Sequence, residues 1–306
     1  MSTAFLFPGQ GAQTPGMGSD LYDHHPIYTE TFDLCAQGAK LDLKSACFEG
    51  KRMDEGEVCQ PAIFAHSISL LKTLQYEGAD ADAVAGLSLG EYAALTAAGV
   101  FGVSQCAALV RQRGRIMDEA FAPGAGGMLS VIGFTAEQVE ERLAGFSSAS
   151  VANHLSELQT VVAGEMCDLL ALKEKFEQAG AKMVTLLAVR GPSHSPLLES
   201  VSQQFLEALR REDIGVPDKT VYANALGEPY SEHSDISALL AMQMRSRVRW
   251  HDCTEHMFAN GVTRFVEVGP GNVLAKLLKR RAGGGAEVKS VRDAETLKKY
   301  LDEVRA

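Results

Sequence analysis

The segment Ala83-Val84-Ala85-Gly86-Leu87-Ser88-Leu89-Gly90-Glu91-Tyr92-Ala93-Ala94-Leu95-Thr96-Ala97-Ala98-Gly99 decides the fold. AVAGL reads as a short buried strand, and LGEYAALTAA reads as a helix closed by Gly99. Small residues at Ala93, Ala94, Ala97 and Ala98 let such a helix pack closely on a sheet. Between the two elements stands Gly86-Leu87-Ser88-Leu89-Gly90, a GxSxG match. A serine on a sharp strand-to-helix turn has its hydroxyl exposed, and flanking glycines relieve the crowding of the backbone. The helix that follows offers unpaired N–H groups and a positive dipole end to a developing oxyanion. A plain glycine-flanked turn has the same local sequence, so two readings stand open here.

Working outward, TAFLF has strand character and stops at Pro8-Gly9, and TVYANA and TRFVEVG supply further strand candidates near helical stretches. From Ser104 an amphipathic helix runs through VRQRGRIMDEA. Apolar strands alternating with helices indicate an α/β fold with a largely parallel, buried sheet. The middle of the chain keeps a different order. GGMLSVIG reads as a strand, TAEQVEERLA as a helix with Thr135 and Gln138 spaced as a capping box, and SASVAN and QTVVAG as two strands. CDLLALKEKFEQAG and AKMVTLLAV then read as a helix and a strand. This βαββαβ order is the ferredoxin-like pattern. The sequence therefore predicts a large α/β domain over 1–124 and 192–306, with an inserted subdomain over 125–191. Gly283-Gly284-Gly285 reads as a loop before a terminal helix AETLKKYLDEV.

A chain of 306 residues, 46% of them hydrophobic, can bury one large or two modest cores. The opening MSTAFLFPGQG has no basic region and too short an apolar run for a signal sequence, and no segment approaches a bilayer span. A cytoplasmic protein is expected, a monomer that meets no membrane. Six scattered cysteines without a CxxC pair argue for reduced, buried thiols. A net charge of −10 speaks against nucleic acid as a partner. Lys276, Lys279, Arg280 and Arg281 form the densest basic cluster, equally readable as a solvated helix end or as a docking patch for an acidic partner.

Three further features bear on chemistry. The loop Phe7-Pro8-Gly9-Gln10-Gly11 has glycine on both sides of Gln10, as a backbone that approaches something closely would need. It lacks the spacings of nucleotide phosphate loops, and a simple strand-ending turn is the alternative. Gly191-Pro192-Ser193-His194-Ser195-Pro196 holds His194 between prolines, with Ser195 and Pro196 reading as N-cap and N1 of a helix. His194 is either a base for the serine or a structural histidine. Arg113 falls in the middle of the stripe Cys106, Leu109, Val110, Ile116 and Met117, with Arg111 and Arg115 on the other side. A guanidinium facing the core must find an anionic partner or reach a cleft. It is either a structural ion pair or a bidentate clamp for a substrate carboxylate. A metal site at His251, Cys253 and His256 is rejected, since the two histidines lie about 140° apart on a helix.

Taken together, FPGQG, GLSLGEYAAL, RQRG, GPSHSPLL and FVEVGPGNVL resemble, in order and spacing, the malonyl-CoA:acyl-carrier-protein transacylases over nearly the whole chain. The resemblance implies an α/β-hydrolase-like domain carrying the ferredoxin-like subdomain. It implies Ser88 as acylated nucleophile, His194 as its base, and the backbone N–H groups of Gln10 and Leu89 as oxyanion hole. Arg113 would bind the malonyl carboxylate, and the main-chain carbonyl of Gln243 would orient the histidine. Leu155 and Ser193 would border the acyl pocket. The implied reaction takes malonyl-CoA and an acyl carrier protein with its phosphopantetheine, needs no cofactor or metal, and feeds fatty acid or polyketide synthesis. An acyl hydrolase and a non-catalytic docking subunit are the rival readings. The chain departs from the family pattern at Leu87 (usually His), Leu155 (usually Asn), Asn272 (usually Lys), and in Ser246-Arg247-Val248-Arg249-Trp250, where Asn/Ser-Pro-Val-x-Trp is usual.

Overall fold

Thr3–Phe7 is buried along its whole length, as a strand covered on both faces must be. In the computed structural model, which describes residues 2–305, this strand is β1 (Ser2–Phe7). It is followed by α1 (Ser19–Tyr22), α2 (Pro26–Ala39), α3 (Leu43–Glu49) and α4 (Gly56–Tyr76), then by β2 (Ala83–Gly86), α5 (Gly90–Ala97) and α6 (Val103–Glu119). Next come β3 (Gly126–Ile132), α7 (Ala136–Leu143), β4 (Ser150–Ser156), β5 (Gln159–Glu165), α8 (Met166–Gln178) and β6 (Met183–Leu186). The order ends with α9 (Glu199–Leu209), β7 (Thr220–Val221), α10 (Ile236–Arg245), α11 (Trp250–Ala259), β8 (Val262–Val268), α12 (Val273–Ala282), β9 (Glu287–Val291) and α13 (Ala294–Arg305). Among the described residues no helix is long and apolar enough to cross a membrane.

The chain divides into two compact units, one made of residues up to 114, 213–223 and from 254 on, the other of 115–212 and 224–253. In the first, five parallel strands run in the order β7-β2-β1-β8-β9. β1 sits at the centre, with Phe7 opposite Gly86 and Leu6 opposite Glu267. Because the strands are parallel, the loops after β1, β2 and β8 leave from the same edge of the sheet. Those loops are Pro8-Gly9-Gln10, Leu87-Ser88-Leu89 and Gly269-Pro270-Gly271-Asn272, three of the motifs singled out in the sequence.

The second unit contains a four-stranded antiparallel sheet in the order β4-β5-β3-β6, the pairing of a ferredoxin-like βαββαβ unit. Its helix side is a core of Leu129, Val131, Val139, Val162, Leu169 and Phe176. Thr135 and Gln138 form the expected capping box of α7. This unit extends past residues 125–191 because its edge strand β4 bonds to a later segment: His154 N–H donates to the Val248 carbonyl, and Val248 N–H to that of Ala152.

Three elements differ from expectation. AKMVTLLAV forms a strand only over Met183–Leu186, an edge position with exposed side chains. TVYANA contributes only Thr220–Val221. The edge strand β9, half-buried and short, carries too little apolar alternation to stand out beside Gly283-Gly284-Gly285. Residues 19–76 form four helices without an obvious stripe, since α4 is buried nearly all round.

Glu267 in β8 is fully buried, and its carboxylate accepts from Leu274 N–H at 3.2 Å and Ala275 N–H at 2.8 Å. The side chain thus caps α12, while Asn272 at the N-cap makes no side-chain capping bond. Burial pushes the Glu267 carboxyl up from its usual range to about 7, against the pull of the helix N–H groups. A raised folded pKa favours folding while the group is protonated, so this contribution is complete below about pH 4.5 and lost as pH rises through about 7. Urea unfolding at pH 5 and pH 8 should show Glu267→Gln gaining on wild type by on the order of 3 kcal/mol between the two pH values. An equal difference at both would remove Glu267 from the pH dependence.

Candidate active site

The turn between β2 and α5 is built by backbone contact. A Cβ on Gly86 would lie 1.9 Å from the carbonyl carbon of Gly90, and one on Gly90 would lie 2.0 Å from the Phe7 oxygen. Leu87 N–H donates to that same Phe7 oxygen at 3.0 Å. The first loop closes on the turn from the other side, where a Cβ on Gly9 would lie 2.5 Å from the Leu87 carbonyl oxygen. Side chains at Gly9, Gly86 and Gly90 are therefore excluded by main chain, which cannot move aside as a side chain can. Ser88 at the apex has φ 54°, a left-handed conformation that a non-glycine residue adopts at a cost of about 1 kcal/mol or more. Four such residues occur among those described. Lys40 ends α2 and Arg52 lies in a turn, whereas the other two are Ser88 and His194, the two candidates for chemistry. The Leu89 amide stands at the N-cap of α5, and the exposed Gln10 follows the Gly9 contact directly. Leu87 is half-buried and lends its backbone to the turn, so its departure from histidine leaves the turn's geometry intact.

The α6 stripe lies as predicted, with Cys106, Leu109, Val110, Arg113 and Ile116 buried and Arg115 exposed. Arg111 instead pairs with Glu57 and donates to the Ala39 carbonyl. Arg113 is 1% exposed and donates from Nη2 to Ser88 Oγ at 3.1 Å and from Nη1 to Gln60 Oε1 at 2.8 Å. Its guanidinium also sits 5.5 Å from the Tyr92 ring centroid. Burial lowers its pKa, with Tyr92 and Glu91 acting the other way. The group remains a cation, since arginine holds its proton in proteins. The guanidinium thus lies one hydrogen bond from the serine oxygen, where it can meet an anionic group attached to that oxygen.

Gln60 is the polar residue that sequence reasoning did not single out. It is 2% exposed, and its Nε2 reaches Gln10 Oε1 at 3.4 Å. The glycine of RQRG makes this meeting possible, because a Cβ on Gly114 would lie 2.2 Å from the Gly56 carbonyl oxygen at the start of α4. The signal available in the sequence was one amide in the apolar run Val58-Cys59-Gln60-Pro61-Ala62-Ile63-Phe64.

In the second unit, His194 has φ 60° and is 3% exposed. Its N–H donates to the Met244 carbonyl at 3.0 Å, and its Nδ1 lies 2.7 Å from the carbonyl oxygen of Gln243. Both carbonyls belong to the last turn of α10, where carbonyls have no partner within their own helix. A carbonyl only accepts, so Nδ1 carries the proton and Nε2 keeps the lone pair of the neutral ring. The C-terminal end of α10 also favours a positive imidazolium. Gln243, predicted to bond through its backbone, does so. Ser195 and Pro196 stand at N-cap and N1 as expected, of a 3₁₀ turn over Pro196–Leu198 ahead of α9, and the Ser195 hydroxyl bonds back to Pro192 O at 2.7 Å instead of making a side-chain capping bond.

Leu155 packs beside Met128, Ala152, Val161 and Ala163, on the sheet face away from α7 and α8, and Val189 joins them. Ser193 is half-buried next to the histidine. Arg247, where the family pattern has proline, forms an ion pair with Glu140, and Val248 beside it makes the two bonds to β4.

The acyl transferase domain family matches residues 4–305. The malonyl CoA-acyl carrier protein transacylase of Bacillus subtilis (strain 168) is 36% identical over 286 residues, covering 90% of this chain and 89% of that protein. Among solved structures, the malonyl CoA-acyl carrier protein transacylase of Clostridium perfringens superposes with a TM-score of 0.95 at 32% identity, covering 100% of this chain and 98% of that one. A malonyl-transacylase in complex with its type II PKS acyl-carrier protein gives 0.94 at 31% identity over 99% and 100%.

The steric reading of the turn predicts that Gly90→Ala destabilises the protein by at least ~2 kcal/mol in urea unfolding. The same substitution should abolish labelling of Ser88 by a fluorophosphonate. Gly102→Ala, where the nearest atom lies 3.7 Å away, is the matched control and should leave labelling intact.

Proposed function

Because the chain belongs to the acyl transferase family, we propose that it transfers the malonyl group from malonyl-CoA to the phosphopantetheine thiol of an acyl carrier protein. The observation that carries this reading is the buried Arg113 guanidinium, 3.1 Å from Ser88 Oγ. Acyl transfer through a serine needs no cation at that place, whereas an acyl group ending in a carboxylate does.

The steps follow from the groups present. His194 Nε2 takes the Ser88 proton, and Oγ attacks the thioester carbonyl. The Gln10 and Leu89 N–H groups hold the tetrahedral oxyanion. The C–S bond breaks, the proton passes from His194 to the sulfur, and CoA leaves a malonyl ester on Ser88. Arg113 pairs with the free carboxylate during both half-reactions. The carrier's thiol then gives its proton to His194 and attacks the ester, and Ser88 recovers the proton as its C–O bond breaks. The Gln243 carbonyl keeps Nδ1–H in place, so Nε2 is the nitrogen that moves protons throughout. Leu155 and Ser193 border the acyl group and bear on malonyl against methylmalonyl choice.

On this reading the enzyme is a cytoplasmic monomer that uses no metal or prosthetic group and supplies extender units for fatty acid synthesis. A polyketide pathway would use the same chemistry. The carrier is acidic, and the exposed cations Lys276, Lys279 and Arg280 on α12 offer it a complementary surface. The first turn of that helix follows the glycine loop beside the Gln10 segment, with Gly271 packed against Ala12. An acyl hydrolase would share the serine but would have no use for the guanidinium.

Intact-mass measurement with malonyl-CoA should show one malonyl adduct on wild type and none on Ser88→Ala. An adduct surviving in that variant would overturn the assignment. Arg113→Ala should lower kcat/KM for malonyl-CoA by roughly 30-fold or more, the equivalent of 2–5 kcal/mol for a lost charge partner, and change acetyl-CoA far less. Parallel kinetics with the two thioesters read this directly. Undiminished preference for malonyl would remove the clamp.

A further inference from the structure

His194 keeps a backbone conformation that has to be held. A φ of 60° is unfavourable for a residue with a Cβ and persists only where its surroundings fix it. Pro192 and Pro196 bracket the strained residue. The Pro192 ring rests on the start of β3, where a Cβ on Gly126 would lie 2.7 Å from Pro192 Cδ. Ser195 is extended, at φ −130° and ψ 158°, as a residue ahead of proline prefers, and Pro196 opens the 3₁₀ turn. Proline rings thus set both ends of the segment, and the residues between them have to close the gap.

Ser195 closes it. The residue is fully buried, and its hydroxyl donates to the Pro192 carbonyl at 2.7 Å. This bond joins the two flanks of His194 without using the histidine itself. His194 is then free to make two bonds to the end of α10, from its backbone N–H to Met244 and from Nδ1 to Gln243. Rotation about N–Cα sets the direction of the N–H relative to the side chain, so both bonds form together only at the observed φ. Were the backbone to relax to a negative φ, the N–H and the ring would turn apart and one bond would be lost. We propose that Ser195 is a positioning residue for the base: its hydroxyl holds His194 in the left-handed conformation, and with it the tautomer and the aim of the ring. This role rests on His194 acting as the base for Ser88 in the reaction set out above. An alanine at 195 would leave the Pro192 carbonyl without this donor and remove the one side-chain bond that ties the flanks together.

Ser195→Ala should lower the rate of Ser88 acylation about 10–50-fold, by the same factor for malonyl-CoA and acetyl-CoA, with KM little changed for either. A base out of place slows proton removal whatever the acyl group is. In the same protein the His194 Nδ1–H signal, read by NMR and protected in wild type by the Gln243 carbonyl, should exchange with solvent at least about tenfold faster. Ser195→Cys keeps a weak donor in nearly the same volume and should fall between wild type and the alanine variant in both measurements. Thermal unfolding checks both proteins, and if the alanine variant does not fold, the cysteine variant decides by the same two readouts. Unchanged acylation, a loss confined to malonyl-CoA, or slower acylation with Nδ1–H exchange unaltered each overturns the role of Ser195. A His194→Ala enzyme acylated as fast as wild type overturns instead the reading of His194 as base, and the NMR comparison then still judges whether Ser195 holds the ring.

Discussion

Gly86 lies against Gly90, and Gly90 against the carbonyl of Phe7, with no room for a side chain at either glycine, and the serine turn and the loop after β1 are arranged around that contact. It joins the ends of two neighbouring parallel strands and forces the chain to reverse directly into a helix. It also drives the one residue at the apex into a left-handed conformation. Such strain persists only where surrounding packing fixes it, and the packing here is main chain on main chain. The Gly9 loop presses on the same turn, so the backbone leading into Gln10 and the Leu89 amide are placed by the contact that also shapes the serine turn.

A second constraint is electrostatic. Placing a guanidinium at 1% exposure beside a serine is unfavourable unless its donors are used. Two of them, on Nη1 and Nη2, go to the oxygens of Gln60 and Ser88. The close approach of α4 and α6 at Gly56 and Gly114 permits this arrangement. The histidine side follows a parallel logic. The last turn of α10 has carbonyls to spare, and Gln243 and Met244 spend theirs on the ring and the backbone of His194. An aspartate is not needed to choose the tautomer, because a carbonyl oxygen cannot donate.

Much of this was legible from residue order because it rests on local chemistry. The GxSxG turn, the buried face of α6, the capping box at Thr135 and the βαββαβ succession are patterns of neighbours in sequence. Gln60 was not legible, since α4 is buried on nearly all sides and no stripe marks which of its residues points at a partner. Ser195 holds the N-cap position that its sequence suggested, but the partner of its hydroxyl, the Pro192 carbonyl, was not legible. β9 and the shortened β6 and β7 lie at sheet edges, where half the pairing and part of the burial are missing and the apolar signal weakens with them.

What the sequence determined by itself was the parallel sheet, the antiparallel βαββαβ unit, and which serine, histidine and arginine were the candidates to place, because period, glycine spacing and one buried charge are written in neighbouring residues. Only the tertiary structure decided that Arg113 is held by an amide and that Glu267 caps α12, and it alone brings the Gln243 carbonyl, which the family resemblance had pointed to, against His194. Those pairings join residues 53, 49 and 7 to 8 positions apart. The two widest form only when helices pack, and even the shortest spans the whole loop between β8 and α12. No local propensity encodes such a contact, because it is set by where backbones can approach.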